Sequence, residues 1–410
     1  MNLSRILTFS WRYFSAKKST NAINIISWVS VTAIMFGTAS LIIILSAFNG
    51  FESLVKSLYA SFYADIRIGA VQGKVIVLTQ KQLNQLRGIS GVSFISLTAE
   101  SKALIQNDVL QAVVHIKGVD SNYANVSGVP SSMYRGEFNT GDMEQPALVM
   151  GVGVEQSLGL LSDRSIYPVS VYLPRKSAQQ FSNPMDALGL SLAYPSGSFA
   201  IQSEFDSKYV ITNLAFLKSF LGYGADEFGS AEVKLISGAN EDAVADKIRQ
   251  VLGMGYKVEN RYQQNSMLYI TIRMEKLAIY GIFSLILIVA AFTMIGALSM
   301  LVLEKKKDIQ VMKAMGADNT MIQQIFLAEG ILLAFIGTAG GLAIALLFYY
   351  LQTTYKLIPL EGATFLIDYY PVKLVFSDFI IVTTTVMVIG LLASWIPARR
   401  AASSSVSLRS

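Results

Sequence analysis

The chain of 410 residues contains one histidine, His115, and no cysteine. His115 sits in an alternating stretch, VVHIKG, with no other metal-ligand type clustered near it, so it reads as a strand histidine and no metal site is assigned. One histidine cannot complete a Ser/His/Asp constellation unaided by the right neighbours, and without cysteine there is neither a thiolate nucleophile nor a disulfide. No G-x-x-x-x-G-K-[ST] phosphate loop occurs, so the chain is not expected to bind or hydrolyse ATP itself. Glu329 lies at the inner edge of an apolar segment, too shallow for a proton relay, and no ionisable residue is expected at the centre of such a segment. No catalytic residue is assigned. The energy for any work has to be borrowed.

The residues suited to borrowing it lie between 304 and 330, EKKKDIQVMKAMGADNTMIQQIFLAEG. Lys305, Lys306, Lys307 and Lys313 make this a short basic loop between two apolar segments, which keeps it on the cytoplasmic side of a membrane. Ile309, Met312 and Met315 recur at helical spacing, with the lysines and Asp308 pointing elsewhere. Gly316 offers a helix stop, and Asp318 or Thr320 a cap for the helix that follows. A short amphipathic helix over Asp308, Ile309, Met312, Lys313, Ala314, Met315, Gly316 and Ala317 suits docking into a groove of a cytoplasmic partner. A solvated basic turn lying on lipid headgroups is the plainer alternative.

Composition sets the frame. The chain is 52% hydrophobic and only 15% charged, which points to a membrane protein with a substantial polar domain. Its net charge of +5 gathers beside apolar segments and reads as topology, not as nucleic-acid binding. Residues 1–22 hold Arg5, Arg12, Lys17 and Lys18 and no acid, and fit an amphipathic elbow helix on the inner membrane surface. The uncharged run 23–48 is too long for a signal-peptide core and is read as an anchor. Within it Ser30, Ala33, Gly37 and Ser40 form a small-residue seam that admits either another helix of the same chain or a substrate cavity.

The stripe Phe51, Leu54, Val55, Leu58, Tyr59, Phe62 carries the first helix out of the bilayer, giving a first span and stalk over 23–63. Met267, Ile270, Met274, Leu277 and Ala278 repeat that spacing, so 263–303 is a second stalk and span. Phe48, Asn49 and Phe51 on the first, with Met267, Ile270 and Met274 on the second, are candidate substrate-cavity residues alongside Ala33, Gly37 and Ser40. Between the stalks, 64–262 reads as an external α+β domain. KVIVL (74–78), a helix capped by Thr79 and a strand near 92–97 make one strand–helix–strand unit; AEVKLI (231–236), a helix capped by Asn240 and a strand near 256–259 make the other. These units, 64–120 and 229–262, bracket a mostly β insertion over 121–228 with candidate strands ALVMG, PVSVYL, SFAIQSEF and KYVITN. Pro174, Pro184 and Pro195 mark a long exposed loop there.

After the basic loop (304–320) come a third span (321–354) with Gly337-x-x-x-Gly341-x-x-x-Ala345, an external loop (355–378), a fourth span (379–398) and a tail (399–410). The third-span motif is read as packing within one chain. Lysine and arginine counts beside the spans put both termini inside and the large domain outside the cytoplasm.

These residues carry a resemblance. DIQVMKAMGADNTMIQQIFLAEG resembles the cytoplasmic signature of MacB/FtsX-type ABC transporter permeases, through Asp308, Ile309, Lys313, Ala314, Gly316, Ala317, Ile325, Phe326, Glu329 and Gly330. IPARRAA (396–402) is similar to the family's C-terminal ending. The stretch 26–52, ending Asn49-Gly50-Phe51-Glu52, resembles the first span of the lipoprotein-releasing (Lol) branch, LolC/LolE-like, and FLIDYYPVKL (365–374) its last external loop, with Ile367, Asp368, Pro371 and Val372 in place.

The resemblance implies four transmembrane helices, a porter-like split subdomain and a cytoplasmic coupling helix at 304–320. It implies a dimer with a second copy or a paralogue, and two copies of a LolD-like ATPase that use ATP and Mg²⁺. It implies a triacylated lipoprotein as substrate and a LolA-like periplasmic carrier as acceptor, in the bacterial inner membrane. A MacB-like efflux permease for peptides or drugs and an FtsX-like non-transporting signal transducer are the alternatives. Against them stand the missing fused ATPase and the size of the external domain.

Overall fold

The computed structural model describes residues 21–174, 188–360 and 369–403. The elbow helix expected over 1–22, Pro184, and Ile367 with Asp368 therefore lie outside the described residues, apart from 21 and 22. The chain divides into two units. One contains 21–54, 270–360 and 369–403; the other contains 55–174 and 188–269.

Among the described residues four helices are long and apolar enough to cross a membrane: α1 (Asn21–Phe62), α5 (Ser266–Glu304), α7 (Asn319–Tyr355) and α8 (Phe376–Ala402). At about 1.5 Å per residue α1 is roughly 60 Å long, well beyond a hydrocarbon core of about 30 Å. The stripe foreseen in its last turns is the face that is buried: Val55, Tyr59 and Phe62 are all below a tenth exposed. α8 runs further than expected, because Pro397 lies inside it and does not end it.

The core of this unit forms where small residues let helices close. An added Cβ at Gly337 would lie 2.8 Å from Ile34 Cγ2, and one at Gly341 2.6 Å from the Met35 carbonyl oxygen. The third-span glycines thus seat α7 on α1 within one chain. Where α5 gives way to α7, α6 (Lys306–Ala314) joins the same core through Ile309, fully buried with Ile322, Phe326 and Leu298.

Among its described residues the second unit contains the helices α2 (Gln80–Arg87), α3 (Leu214–Leu221) and α4 (Glu241–Leu252). α2 starts on a capping box between Thr79 and Gln82, and α4 on Asn240, whose side chain accepts from the N–H groups of Asp242 and Ala243. Its strands among the described residues are β1 (Ile66–Ala70), β2 (Ile76–Val77), β3 (Val92–Asn107), β4 (Leu110–Val119), β5 (Met133–Gly136), β6 (Ala147–Gly151), β7 (Val169–Pro174), β8 (Leu188–Phe199), β9 (Tyr209–Asn213), β10 (Glu227–Phe228), β11 (Ser230–Leu235) and β12 (Tyr256–Asn260).

The two strand–helix–strand units come together as expected, in the order β12-β1-β11-β3-β4, but the first contributes β1, which sequence reading missed. KVIVL supplies only the two-residue β2, paired with β10 outside the main sheet. The insertion is not a separate sheet. β9, β6 and β8 continue from β4, and β7 pairs with both β8 and β3, closing a six-stranded ring on a shared core that includes Ile105, Ile116, Met150 and Val171. SFAIQSEF is divided between the end of β8 and a short helix, Ser203–Asp206. Pro195 is in β8, not in a loop.

Asp206 accepts a hydrogen bond from the Ile201 N–H at 2.9 Å, and burial pushes its carboxyl up to about 6 from 3.8, with the Ile201 and Gln202 N–H groups opposing. The folded state holds this proton more tightly than the unfolded chain does. Stability from this group is therefore lost as pH rises from about 4 through about 6. Asp206→Asn should reduce the fall in Tm between about pH 4.5 and about pH 7; an unchanged pH profile of Tm would contradict this burial effect.

Candidate functional site

The helix expected to couple to a partner is present as α6, and its end is built as the sequence indicated. The Gly316 N–H bonds to the Lys313 carbonyl (3.0 Å) and the Ala317 N–H to that of Met312 (2.9 Å), with Gly316 at φ +95°. This is a Schellman stop that glycine adopts without strain. Asp318 then caps α7, accepting from the Met321 N–H at 3.0 Å, while the Thr320 hydroxyl donates to its other oxygen. The Thr320 bond, followed by the Met321 N–H, lowers the Asp318 pKa.

The faces of α6 differ from the expected ones. Ile309 is buried in the helix bundle and Met312 packs against the same core, so that part of the apolar stripe is spent inside the chain. Burying a side chain of this size stabilises by about 1.5–3 kcal/mol, which fastens α6 to the spans. Val311 and Met315 are the exposed apolar residues, at 57% and 75%. Asp308 is exposed and pairs with Lys305 at 3.3 Å. Ala314 and Ala317 lie at the helix end beside Gly316. Lys313 reaches the last helix, its Nζ donating to the Ala402 carbonyl at 2.8 Å. A cation there satisfies one of the carbonyls that every helix C-terminus leaves open. Beside α6, Val302, Leu303, Ile309 and Pro397 line a recess of ≈ 300 Å³ with Lys306 and Arg400 at its rim.

Gly316→Pro forbids φ +95° and deletes the N–H to Lys313; Lys313→Glu replaces the donor to Ala402 by an acceptor. Both variants should insert in the membrane normally and lose at least tenfold of ATP-dependent activity, measured as turnover of the co-purified ATPase. Wild-type turnover in both would remove α6 from coupling.

At the opposite end of the bundle the structure assembles residues that sequence reading did not connect. Asn49 of α1, Lys276 of α5 and Asp378 of α8 meet in a polar knot. Asn49 Nδ2 donates to Asp378 Oδ2 (2.6 Å), Lys276 Nζ donates to Asn49 Oδ1 (2.7 Å), and Lys276 stands 3.3 Å from Asp378 Oδ1. Asn49 and Asp378 are each under a tenth exposed. Next to it, the segment 369–375 lies on α1. The Lys373 N–H bonds to the Ser46 carbonyl (2.9 Å), Phe51 and Tyr370 stack with ring centres 6.3 Å apart, and buried Gln352 of α7 donates to the carbonyls of Tyr370 and Ile358. Asn49-Gly50-Phe51 and the Tyr370–Lys373 stretch, set apart in sequence, are thus one contact.

The remaining cavity candidates divide. Gly37 is buried, and a Cβ there would lie 2.9 Å from Leu287 Cδ2, so its small size serves packing of α5 on α1. Ala33, Ser40 and Phe48 are partly buried on α1. Met267, Ile270 and Met274 are 76%, 51% and 60% exposed on α5. Glu329 is 1% exposed, well inside α7, and Gly330 beside it would carry a Cβ only 2.2 Å from that of Ser394.

In the second unit the last turns of α1 end in an aromatic cluster. Phe62 stacks on Phe205 at 4.3 Å and meets Tyr209 at 4.6 Å, Tyr59 donates to Glu204 at 2.5 Å, and the Gly128 N–H bonds to the Ser61 carbonyl at 2.8 Å. Lys117 projects over the Phe62 and Tyr123 rings, at 5.4 and 4.9 Å, and donates to Glu232 at 2.6 Å. Lys56 of α1 also lies over the Tyr269 ring at the start of α5, at 5.4 Å. His115 is in β4, as expected, and among the described residues no cluster of potential metal ligands includes it.

Two protein families match the chain: the MacB-like periplasmic core domain over residues 27–251 and the FtsX-like permease C-terminal region over 280–406. The first alone takes in more than half of the 410 residues. The chain belongs to the MacB/FtsX-type permeases. Among relatives of this permease, it is 27% identical to the lipoprotein-releasing system transmembrane protein LolE of Haemophilus influenzae over 96% of both chains. It is 25% identical to LolC of Xylella fastidiosa (strain Temecula1) over 95% of both. The periplasmic region of MacB from Actinobacillus actinomycetemcomitans aligns with 53% of the permease and 98% of its own length, at 11% identity and a TM-score of 0.36.

Proposed function

We propose that this permease is the membrane subunit of an ATP-driven transporter that extracts outer-membrane-destined lipoproteins from the bacterial inner membrane and passes them to a periplasmic carrier. The observation that carries the reading is the likeness to lipoprotein-releasing LolE and LolC over 95–96% of both chains. The working unit is a dimer, with a second copy or a paralogue, served by two copies of a separate ATPase that binds ATP and Mg²⁺. Both termini and α6 face the cytoplasm, and 64–262 the periplasm.

Three features support a mechanical route. α6 is locked to the bundle by Ile309 and to α8 by Lys313, so a push on its exposed residues is felt by the spans. The Asn49–Lys276–Asp378 knot ties the outer ends of three spans together. α1 is one unbroken helix whose last turns are buried among Phe205 and Tyr209. The acyl chains of the substrate enter beside Phe48 of α1 and the exposed side of α5 at Ile270 and Met274.

Photo-crosslinking tests this in living cells. A crosslinking residue in place of Met274 or Ile270 should trap an acylated lipoprotein, while one in place of Trp395, exposed on α8, should not. Adducts with phospholipid alone at all three positions would refute the cavity. A trapped peptide or drug in place of lipoprotein would mean efflux.

A further inference from the structure

The external unit holds a charged cleft that the transport reading does not use. Strand register puts Arg67 and Gly69 of β1, Lys257 and Glu259 of β12, Glu100 and Lys102 of β3 on one face of the sheet, through the pairs Arg67↔Glu259, Gly69↔Lys257 and, across to β4, Lys102↔His115. The opposite face carries Ile66, Ile68, Ile95 and Val233 into the core. At the charged face these residues, with Lys74, line a cleft of ≈ 490 Å³.

Its charges do not balance. Four cations, Arg67, Lys74, Lys102 and Lys257, stand against Glu100 and Glu259. Lys257 is met by Glu259 at 2.7 Å, and Glu100 is drawn toward buried Lys117 at 3.8 Å. Among the described residues Arg67, Lys74 and Lys102 form no ion pair, and the Arg67 Nε–H is shielded from solvent with no acceptor. Cations gathered at one cleft without carboxylate partners repel one another, and a bound anion relieves that repulsion. Charged and polar side chains share its walls with glycines, Ala70 and Pro174.

We propose that this cleft is a binding site for a phosphate dianion, either free in solution or as the headgroup of a phosphorylated amphiphile. The excess of two positive charges matches such a dianion. Arg67 offers the planar fork that binds two phosphate oxygens at once, and Lys74 and Lys102 offer point charges beside it. His115, across the strand pair from Lys102, adds a hydrogen-bonding imidazole. A bounded cleft holds a compact anion of this kind better than it holds an extended acidic peptide.

The full-length protein in detergent is titrated with inorganic phosphate, following Tm against chloride at equal ionic strength. Phosphate should raise Tm and chloride should not, and Arg67→Gln or Lys102→Gln should each weaken phosphate binding about tenfold, as loss of one charge-assisted bond implies. Lys102→Arg should retain binding, and Lys247→Gln, on an exposed face of α4, should leave it unchanged. Tighter binding to nanodiscs holding a phosphatidic acid than to free phosphate would identify the amphiphile as the source; equal binding would identify the solute. An equal response to chloride, or full phosphate binding in the Arg67→Gln variant, overturns the site. So does capture of an acidic peptide with no response to phosphate, which would assign the cleft to a protein partner.

Discussion

Lys117→Met should be the most destabilising single change in the external unit, lowering its stability by about 3–5 kcal/mol and its Tm by on the order of 10 °C. Lys117 is 1% exposed and Glu232 4%. Burial alone would push the ammonium pKa down. The carboxylate of Glu232, with Tyr123 and Glu100, more than reverses this and leaves it raised, so the lysine stays charged. Removing it strands Glu232 without its cation beneath the aromatic cluster that holds the end of α1. The loss comes from the orphaned charge and not from any large net value of the pair, so Lys117→Met combined with Glu232→Met should recover most of the lost stability. Thermal unfolding of the three full-length variants decides it. A single variant as stable as the wild type would mean that the pair is not buried as described, and a double variant no better than the single would mean that packing over Phe62 and Tyr123 matters more.

Gly50→Ala should be the most damaging small change in the membrane unit. An added Cβ would fall 2.1 Å from the Pro371 carbonyl oxygen and 2.7 Å from Val372 Cα, both backbone atoms that no rotamer change can move aside. Alanine gains up to about 1 kcal/mol over glycine within a helix, but forced overpacking costs about 1–3 kcal/mol or more, so the clash wins. The segment 369–375 has to lift, breaking the Lys373–Ser46 bond and the Phe51–Tyr370 stack beside the Asn49–Lys276–Asp378 knot. The expected outcome is normal insertion, a lower Tm and a release rate reduced at least tenfold. Gly296→Ala, where an added Cβ meets nothing within 4 Å, is the matched control and should be neutral or slightly stabilising. Equal behaviour of the two alanines would show that the loop contact has no bearing on function.

What could be read from the sequence was local. The spans, the caps at Thr79, Asn240 and Asp318 and the stop at Gly316 depend on neighbours within a few residues, and each is where its pattern placed it, save that α8 runs on past Pro397. Periodicity was a weaker guide on α6. It says that Ile309, Met312 and Met315 share a face, but not that Ile309 would face the chain's own spans and leave Val311 and Met315 outside. The ring closed by β7 was out of reach, since it depends on pairings between β3 and strands more than sixty residues away. Asn49 and Asp378 are 329 positions apart, and no local rule joins them. Lys276 and Asp378 are 102 positions apart on different helices, equally beyond any local spacing rule. The resemblance picked out Asn49–Glu52 and the 365–374 loop as separate motifs; the fold explains the described part of both by bringing Gly50 against Pro371.

The most direct test of the whole account is depletion of this permease, followed by separation of inner and outer membranes and quantification of acylated lipoproteins in each. Lipoprotein release predicts that outer-membrane lipoproteins accumulate in the inner membrane as the permease disappears, and that Gly316→Pro fails to restore their sorting. Normal sorting in depleted cells would contradict it.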